Sequence, residues 1–471
     1  MDLSKNIFRE YDIRGIYGED LTDECAYHIG RALAVLYHEK GFTKICVGRD
    51  NRESSAPMGE QLIKGLVESG MLVTYAGIIP FPMTHFLSCV GTDVLGMEFD
   101  GGVNITASHN PKQYNGIKAE YRGAQPLSGD EIQRLWQIIK AENYITGRGS
   151  VVMKDFRETY ISTIAKKFKY KNKYSVLVAC GNGATCNVNP QILERTGVEL
   201  VKLDCIADST FPHNISNPED PAQMQRVANE VANVHVDIGF MFDGDGDRLG
   251  VIDETGTFYK TDRILLLLAK DLLERCPGCE VLYDVKSSAL VNEVVSKYGG
   301  VATMIPTGRT SFLRELLGGR AVLGAEFSGH IYIKDDYFGY DDGVFAACSI
   351  LQILDESGKK LSELMAQFPT RPCTPELQIP CADNKKFEVI KDLTHKVLDE
   401  AAAGRYKKVE TIDGVRVSVS DTNWFLIRAK NTSPFLAVRA EGNSDVEVAS
   451  LLENVIRLLS PYGSVDLSKL R

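Results

Sequence analysis

The sequence has no apolar run long enough to cross a membrane. Its longest, ILLLLA from Ile264, belongs to an amphipathic pattern, whereas a membrane-spanning helix needs about 20 consecutive apolar residues. The N-terminal residues MDLSKNIFRE also lack the apolar stretch of a secretory signal. We therefore expect a cytoplasmic protein without a membrane partner.

Runs of positive charge are absent as well. The formal net charge is −10, and the sequence contains no tract rich in lysine or arginine. Nucleic acid is therefore not an expected partner, because its binding relies on clustered cations. An anionic small molecule would have to be held by individual, locally placed arginines and lysines.

The eleven cysteines have no spacing typical of a disulfide framework, and their number is odd. This usage is typical of a reducing compartment. The CxxC pair from Cys276 to Cys279 follows a helical pattern and precedes a strand-like one, whereas a redox CxxC opens a helix. Since no second CxxC completes a zinc site, we interpret CPGC as a plain turn.

The chain has 471 residues, enough for about three domains. Three stretches share one plan, an apolar strand, a polar loop and then a helical pattern, and this recurrence predicts three related α/β domains. After them, a helix followed by strand-like segments predicts a smaller α+β domain. The three stretches are KICVGRDNRESS from Lys44, SVLVACGNGATC from Ser175 and EVLYDVKSSALV from Glu280, and the predicted domains are 1–150, 151–256, 257–369 and 370–471.

The segment FMFDGDGDRLG, Phe240 to Gly250, alternates three aspartates with glycines. The glycines let an extended loop turn Asp243, Asp245 and Asp247 to one side. Three clustered carboxylates repel one another unless a cation lies among them, and hard divalent ions such as Mg²⁺ prefer oxygen ligands. The segment predicts a metal site, and Arg248 next to it is well placed to bind a phosphate.

A calcium loop of the EF-hand type is the main alternative for this segment. The three aspartates and Glu254 fall at ligand positions of that motif. However, Arg248 occupies the position that requires glycine, and VDIGFMF before the loop is typical of a strand where the motif requires a helix. These two mismatches favour the Mg²⁺ site.

The stretch NITASHNP, Asn104 to Pro111, places Ser108 next to His109 in a turn that ends at a proline. It lacks the GxSxG elbow of hydrolases, and a histidine that is adjacent in sequence does not by itself make a general base. Acyl transfer is therefore disfavoured. Taken alone, the segment predicts a turn and no chemistry.

Together, TASHNP and DGDGDR resemble the α-D-phosphohexomutase superfamily, and its bacterial phosphomannomutase/phosphoglucomutase subgroup in particular. Other segments are similar to the same family, in the family's order and over nearly the whole chain. The resemblance implies three α/β mixed-sheet domains and a smaller C-terminal α+β domain around a central cleft, with one loop from each domain. The further segments are the opening loop FREYDIRGIYG, NGIK at Asn115 to Lys118, the sugar loop GAEFSGH at Gly324 to His330 and the phosphate loop IRAKNTSP at Ile427 to Pro434.

The resemblance implies that Ser108 is phosphorylated and that the three aspartates hold Mg²⁺ against it. Such a carrier suits a mutase, because a phosphoserine can donate its phosphoryl group to one hydroxyl and take it back from another. Lys118 and Arg14 are implied as the acid and base, with His109 in support.

The substrate-binding residues follow from the same resemblance. Glu326 and Ser328 are expected to bind sugar hydroxyls, and His330 closes their loop. Four residues of the C-terminal loop are expected to bind the far phosphate through cationic, amide and hydroxyl donors. These four are Arg428, Lys430, Asn431 and Thr432, and the other positions that match the family's cleft are Tyr11, Arg248, Lys286, Gly308 and Arg309.

Two positions depart from the family pattern. Arg309 stands where the subgroup often has histidine, and Lys430 stands where the phosphate loop usually has serine. Both changes add positive charge, which favours anion binding. A guanidinium keeps its proton at ordinary pH, so Arg309 is a poor candidate for an acid/base role.

The expected activity is the Mg²⁺-dependent interconversion of hexose 1- and 6-phosphates, with a hexose 1,6-bisphosphate as intermediate and activator and with mannose or glucose as the sugar. A phosphoglucosamine mutase is the alternative within the same class of enzyme. A non-catalytic protein that binds a metal or a sugar phosphate is the alternative outside it. The expected partner is a small sugar phosphate, and the expected assembly is a monomer or small homo-oligomer.

Overall fold

The computed structural model describes residues 4–10, 12–430 and 434–470. Four sheets follow one another along the chain, three of them mixed and the last antiparallel. This arrangement confirms the predicted fold class, three α/β domains and a smaller C-terminal α+β domain. The described residues include no helix that is long and apolar enough to cross a membrane.

The first domain has a sheet of seven strands whose inner members are parallel. Thr22 and Ser128 cap its first and last helices by accepting a hydrogen bond from the backbone N–H groups of the first turn. The elements are β1 (Ile13–Ile16), α1 (Asp23–Glu39), β2 (Lys44–Arg49), α2 (Ser55–Glu68), β3 (Leu72–Ile78), α3 (Phe81–Cys89), α4 (Thr92–Leu95), β4 (Gly101–Ile105), β5 (Tyr114–Tyr121), β6 (Gln125–Pro126), α5 (Gly129–Lys140) and β7 (Ser150–Met153).

The sheet of the first domain has the order β1-β5-β4-β2-β3-β7, and β6 pairs with β5. Because β7 pairs with β3, this sheet extends past the predicted domain boundary at residue 150. The boundaries themselves remain predictions.

The second domain contains α6 (Arg157–Ala165), β8 (Ser175–Ala179), α7 (Asn189–Arg195), β9 (Glu199–Leu203), α8 (Pro221–Val234), β10 (Ile238–Phe242), β11 (Leu249–Asp253) and β12 (Phe258–Tyr259). Its sheet has the order β12-β11-β10-β8-β9. The strand β10 is buried along its whole length, as its continuous apolar sequence IGFMF predicts for a strand covered on both faces.

The third domain contains α9 (Thr261–Arg275), β13 (Glu280–Asp284), α10 (Leu290–Lys297), β14 (Val301–Ile305), α11 (Arg309–Gly318), β15 (Ala321–Ala325), β16 (Ile331–Ile333), α12 (Gly343–Ser357) and α13 (Leu361–Ala366). Its sheet has the order β14-β13-β15-β16. Asp342 caps α12 through its side chain.

The fourth domain contains β17 (Leu377–Pro380), α14 (Lys386–Ala402), β18 (Lys408–Glu410), β19 (Val415–Ser418), β20 (Trp424–Ala429), β21 (Phe435–Glu441) and α15 (Asp445–Leu459). Its antiparallel sheet has the order β17-β21-β20-β19-β18. Short 3₁₀ turns at Lys5–Ile7, Arg122–Ala124, Ala184–Asn187 and Leu467–Leu470 complete the described elements.

The first three sheets repeat one arrangement of four strands. In the orders β5-β4-β2-β3, β11-β10-β8-β9 and β16-β15-β13-β14, three neighbouring strands are parallel and the first strand is antiparallel to them. The strands β2, β8 and β13 are those of the three recurring sequence stretches, so their equivalence is confirmed. In each domain a loop connects a buried parallel strand to its antiparallel neighbour, and these loops are 106–113, 243–248 and 326–330.

One apolar core runs through the first three domains, the first and second domains also have clusters of their own, and the core of the fourth is separate. Phe86 of the first domain, Phe240 of the second and Phe312 of the third belong to the shared core. The apolar contact of the fourth domain with the third is a small cluster of Val285, Trp424 and Leu426. Other described contacts between these two domains are polar, such as the hydrogen bonds from Arg416 to the carbonyls of Val285 and Ser287.

The CPGC segment corrects one interpretation from the sequence. The predicted turn is present, since the N–H of Cys279 donates to the carbonyl of Cys276. However, the turn brings the two Cα atoms 5.9 Å apart, and the sulfurs form a disulfide. That separation lies within the range that a disulfide spans, so the segment is a bridged turn and not a plain one.

Candidate active site

Ser108 lies at the turn between β4 and β5, where it is buried. Its backbone is left-handed, with φ at 52°, and its N–H donates to the hydroxyl of Thr106 over 3.0 Å. The Ser108 hydroxyl donates to Oδ2 of Asp243 at 2.9 Å, and it lies 3.0 Å from Nδ1 of His109. The turn therefore presents the hydroxyl to the aspartate loop, 135 residues further along the chain.

Gly244 allows the serine loop and the aspartate loop to touch. A Cβ atom at this position would lie 2.5 Å from the carbonyl oxygen of Ser108 and 2.8 Å from the side chain of Ile215. Neither distance is tolerated between non-bonded heavy atoms, so any larger residue would separate the two loops. The alternation of glycine with aspartate thus has a steric reason as well as a conformational one.

The three aspartates of the loop after β10 are fully buried, and their ligand oxygens lie within 4.8 Å of one another. Oδ1 of Asp243 accepts hydrogen bonds from the N–H groups of Gly246 and Arg248, at 3.0 and 3.2 Å. Oδ1 of Asp245 and Oδ1 of Asp247 have no hydrogen-bond partner among the described residues. Buried oxygens of this kind are expected to be satisfied by a ligand.

Lys118, on β5, provides a positive charge inside this acidic cluster. Its ammonium group lies 2.7 Å from Oδ2 of Asp245 and 2.7 Å from Oδ2 of Asp247. Burial opposes the charge, but the two carboxylates raise the pKa of Lys118 above its usual value. The lysine is therefore a cation that bridges two of the three acids.

The electrostatics of the three acids differ. Burial raises the pKa of Asp243 well above its usual value, and the neighbouring charges of Asp247 and Asp245 raise it further. Burial acts in the same direction on Asp247, but Lys118 and His330 lower the pKa of that carboxyl below its usual value. A bound cation would favour ionisation of all three groups, and of Asp243 in particular.

The calcium-loop alternative is wrong. The residues before the loop form the strand β10, whereas an EF-hand requires a helix there. Glu254 lies beyond β11, and its carboxylate accepts a hydrogen bond from the hydroxyl of Ser362 at 2.5 Å. The donor set that remains consists of buried carboxylate oxygens, which suits a hard divalent ion.

Arg52 holds the serine loop in place, and sequence reasoning did not single it out. Its guanidinium donates to the carbonyl oxygens of Ser108, Asn110, Pro111 and Tyr114, at 2.8 to 3.0 Å. Asp50 fixes the guanidinium from the other side over 3.0 Å. The signal that could have identified Arg52 is its position in the loop after β2, at the carboxyl end of a parallel strand.

Arg14, on β1, approaches the same loop. Its guanidinium donates to Oδ1 of Asn110 at 2.8 Å and forms an ion pair with Asp12. His109 is partly buried, and its desolvation together with the nearby charges of Arg248 and Arg14 lowers its pKa well below the usual value. The imidazole of His109 is therefore neutral near pH 7.

Arg248 and His330 connect the aspartate loop to the loop after β15. Nε of Arg248 lies 3.2 Å from Nε2 of His330, and its Nη1 forms an ion pair with Glu219 at 2.8 Å. Nδ1 of His330 lies 2.8 Å from Asp341 and 3.7 Å from Asp247. Burial opposes protonation, yet the two carboxylates raise the pKa of His330 to about 9.

Glu326 lies in the same loop, with both of its carboxylate oxygens oriented by the third domain. Oε2 accepts from the N–H of Gly308 at 3.0 Å, and Oε1 accepts from the hydroxyl of Tyr332 at 2.7 Å. Gly308 has φ at 124°, a conformation that disfavours any residue with a side chain. Ser328 is buried in the same loop.

Arg309 begins α11 and reaches across to the first domain. Its guanidinium lies over the ring of Phe81, 4.5 Å from the ring centre, and its Nη1 lies 3.3 Å from Nε2 of His85. The ammonium group of Lys118 lies 4.2 Å from the centre of the same ring. Phe81 and His85 carry no signal in the sequence, because a continuous apolar helix such as FPMTHFLSC predicts only burial.

The cations expected at the phosphate-binding end lie between the third and fourth domains. Arg428 forms an ion pair with Asp413 at 3.0 Å. Lys286 and Lys430 both contact Glu376, at 3.3 and 2.7 Å. Three other expected residues, Tyr11, Asn431 and Thr432, lie outside the described residues.

Comparison with known proteins identifies the family from which these loops come. The chain matches the phosphoglucomutase/phosphomannomutase family over four consecutive stretches. These are alpha/beta/alpha domain I at residues 5–145, domain II at 158–256, domain III at 260–371 and the C-terminal domain at 376–458. The matches follow the order of the four sheets and confirm the resemblance inferred from the motifs.

Similar proteins match over almost their full length. The chain is 38% identical to the phosphomannomutase/phosphoglucomutase of Pseudomonas putida, covering 95% of this chain and 94% of that protein. It is 36% identical to the phosphoglucomutase of Neisseria gonorrhoeae, covering 95% of each. A crystal structure of a phosphoglucomutase/phosphomannomutase family protein from Burkholderia thailandensis superimposes with a TM-score of 0.91 at 33% identity, covering 98% of this chain and 99% of that one.

Replacing Lys118 with methionine is expected to change how the acidic cluster responds to a metal. Without the ammonium group the three carboxylates repel one another, so the metal-free Lys118→Met protein should melt at a lower temperature than wild type. A saturating divalent ion should then raise its Tm by roughly 2–4 °C more than it raises that of wild type. Thermal unfolding with and without MgCl₂ measures both effects. The exposed Lys112→Met serves as the control, and an unchanged response of Lys118→Met to Mg²⁺ would contradict the assignment.

Proposed function

The chain belongs to the phosphoglucomutase/phosphomannomutase family, and from this membership we infer that it interconverts hexose 1-phosphates and hexose 6-phosphates. We propose that Ser108 carries the phosphoryl group that is transferred. The observation that supports this role best is the position of its hydroxyl, buried 2.9 Å from Asp243 at the junction of the serine and aspartate loops. A phosphoryl group on this oxygen would lie among the cations that stabilise its charge.

We propose Mg²⁺ as the metal, held by Asp243, Asp245, Asp247 and an oxygen of the phosphorylated Ser108. The support is the chemistry of the protein donors, since the three aspartates offer carboxylate oxygens and Oδ1 of both Asp245 and Asp247 lacks a hydrogen-bond partner among the described residues. When bound, the ion would neutralise negative charge at the transferred phosphoryl group.

Proton transfer is assigned to the groups around Ser108. As the bond between the sugar oxygen and phosphorus forms, the bond between phosphorus and the serine oxygen breaks, and the proton of the sugar hydroxyl passes to a base. Lys118 and Arg14 are proposed for the acid/base role, and His109, whose Nδ1 lies 3.0 Å from the serine oxygen, supports them. Lys118 forms ion pairs with Asp245 and Asp247, and in its charged form it is proposed as the donor to the departing serine oxygen.

The sugar and its second phosphate would be bound by the third and fourth domains. Glu326 is oriented by Gly308 and Tyr332, and its remaining acceptor positions suit two sugar hydroxyls, with Ser328 beside it. The far phosphate would be held by Arg428, Lys430, Asn431 and Thr432. Tyr11, Arg248, Lys286, Arg309 and His330 are proposed to line the cleft between the two ends.

The reaction as proposed passes through a hexose 1,6-bisphosphate, which also activates unphosphorylated enzyme by phosphorylating Ser108. One phosphoserine serves both ends of the sugar, so the bisphosphate must turn over within the cleft before the second transfer. The fourth domain contacts the third through few apolar side chains, which favours the opening that this requires.

Ser108→Ala is expected to abolish the carrier. The wild-type protein should contain a fraction with one added phosphoryl group in its intact mass, and this fraction should be absent from the variant. Mutase activity with Mg²⁺ and a hexose 1,6-bisphosphate should fall by about 10³-fold or more, because the phosphoryl acceptor has been removed. Folded wild-type protein without mutase activity under these conditions would overturn the enzyme assignment.

A panel of sugar phosphates tests the substrate. If Glu326 and Ser328 bind the hydroxyls at C3 and C4, mannose 1-phosphate and glucose 1-phosphate should both react, since they differ only at C2. Values of kcat/KM for these two substrates should agree within about 100-fold, as a single misplaced hydroxyl costs only a few kcal/mol. Activity on glucosamine 1-phosphate alone would establish the phosphoglucosamine mutase alternative instead.

Arg52→Lys is expected to lower kcat without a comparable change in KM. A lysine cannot reproduce the fork of donors that reaches four backbone carbonyls, so the turn that presents Ser108 loses its support. We expect kcat to fall by about 100-fold, as for other displaced catalytic groups. Steady-state kinetics with glucose 1-phosphate measure the effect. Arg31→Lys, in α1 of the same domain and bonded to Ser69, is the control, and an equal loss in both variants would exclude a specific role for Arg52.

A further inference from the structure

Glu376 lies between two lysines that belong to different domains. Its Oε1 accepts from the ammonium group of Lys430 in the fourth domain at 2.7 Å, and its Oε2 lies 3.3 Å from the ammonium group of Lys286 in the third. All three side chains are largely buried, with exposed fractions of 13% for Glu376, 6% for Lys286 and 23% for Lys430. One carboxylate therefore bridges two lysines proposed above for substrate binding.

The electrostatic surroundings keep Glu376 ionised. Burial opposes its charge, but Lys286, Lys430 and Arg428 lower the pKa of this carboxyl below its usual value. In turn, Glu376 and Asp284 raise the pKa of Lys286 despite its burial. The three groups carry two positive charges and one negative charge, and Asp284 lies 3.9 Å from Lys286 as a second carboxylate.

The backbone around Glu376 is attached to the fourth domain. Thr374 donates its N–H to the carbonyl of Ala440 at 2.9 Å, and its hydroxyl accepts from the N–H of Ala440 at 3.0 Å. Two residues beyond Thr374, Glu376 immediately precedes β17, which pairs with β21. Glu376 and Lys430 therefore belong to the same structural unit.

The loop that carries Lys286 is held from the fourth domain by two buried arginines. Arg416 donates to the carbonyls of Val285 and Ser287 at 2.6 and 2.8 Å, with its guanidinium 3.5 Å from the ring centre of Trp424. Arg439 donates to the carbonyl of Lys286 itself and forms an ion pair with Asp262. The bridge of Lys286, Glu376 and Lys430 thus crosses the domain boundary at a place where the backbone is fixed on both sides.

We propose that Glu376 is an internal counter-ion for the far phosphate site, which neutralises Lys286 and Lys430 in the free enzyme and competes with the substrate phosphate for them. This inference rests on the proposed function of that site. A carboxylate presents two oxygens to the lysines as a phosphate does, with less negative charge. The departure from serine at Lys430 adds a cation to the site, and Glu376 is the carboxylate that the added cation contacts.

The counter-ion has a consequence for turnover. In the proposed reaction the bisphosphate must leave the far site and bind it again in the opposite orientation, so the site must release a dianion readily. A carboxylate that returns to the lysines as the phosphate departs lowers the affinity for the phosphate without removing the cations. Without this competition, tight binding of the phosphate at the far site would slow the release and reorientation of the bisphosphate.

The proposal predicts that Glu376→Gln binds anions more tightly. Titration calorimetry in the Ser108→Ala background, where no phosphoryl transfer intervenes, measures Kd for glucose 6-phosphate and for inorganic phosphate. We expect both Kd values to fall by about tenfold, because the lysines lose their internal partner while the shape of the side chain is kept. We also expect the affinity to decrease more steeply with added salt.

Two further variants keep the test selective. Glu388→Gln, in the exposed pair with Lys385 on the same domain, is the matched control and should leave Kd unchanged. Adding Lys430→Ser should remove most of the gain seen in Glu376→Gln, since one of the two competed cations is then absent. If Glu376→Gln does not fold, Glu376→Asp withdraws the carboxylate by one methylene and should tighten binding by about threefold.

The possible outcomes distinguish a failure of the counter-ion proposal from a failure of the proposed mutase function. Unchanged or weaker binding in Glu376→Gln, or in Glu376→Asp where the first variant does not fold, would overturn the proposal, because Glu376 would then only orient the lysines. An equal gain with and without Lys430 would overturn it as well. Absence of mutase activity in the unaltered protein would overturn the proposed function instead, and the titrations would still report on Glu376.

Discussion

Three buried carboxylates in one loop are the constraint on which the rest of the active site depends. Asp243, Asp245 and Asp247 lie too close together to remain ionised unless cations surround them. Each of the first three domains supplies one such cation, Lys118, Arg248 and His330 respectively. The aspartate loop therefore draws three domains together, and burial of an unpaired carboxylate would follow if any of them moved away.

The repeated strand order explains how the loops come to meet. In each α/β domain the functional loop connects a buried parallel strand to its antiparallel neighbour, so it always leaves the sheet at the carboxyl end of the strand. Packing three such sheets around one apolar core directs three carboxyl ends toward a common space. The fourth domain has an antiparallel sheet and a separate core, and its Lys430 and Lys286 of the third domain both contact Glu376.

The sequence was sufficient for the fold and the family but not for the contacts around the site. The recurring strand stretches and the aspartate and serine motifs are local patterns. A local pattern can be recognised in the sequence without knowledge of tertiary contacts. Other contacts join residues that are distant in the chain: Arg52 donates to the carbonyl of Ser108, and Arg309 contacts Phe81 and His85. The sequence next to these residues gives no indication of such contacts. The disulfide of CPGC was not predicted for a related reason. The cysteine composition indicated a reducing compartment, whereas the bond depends on the geometry of the turn that brings the two cysteines together.

An acidic protein that binds dianions must keep its cations from attracting the wrong anions and from destabilising the fold. Here the cations of the proposed site are paired with carboxylates of the protein: Arg248 with Glu219, Arg428 with Asp413, and both Lys286 and Lys430 with Glu376. A buried cation with a partner destabilises the fold far less than one without. If phosphate binds where proposed, it exchanges one anion for another, and the affinity reflects the difference between phosphate and carboxylate. In the proposed reaction, such an exchange would let a bisphosphate leave the site, turn and return.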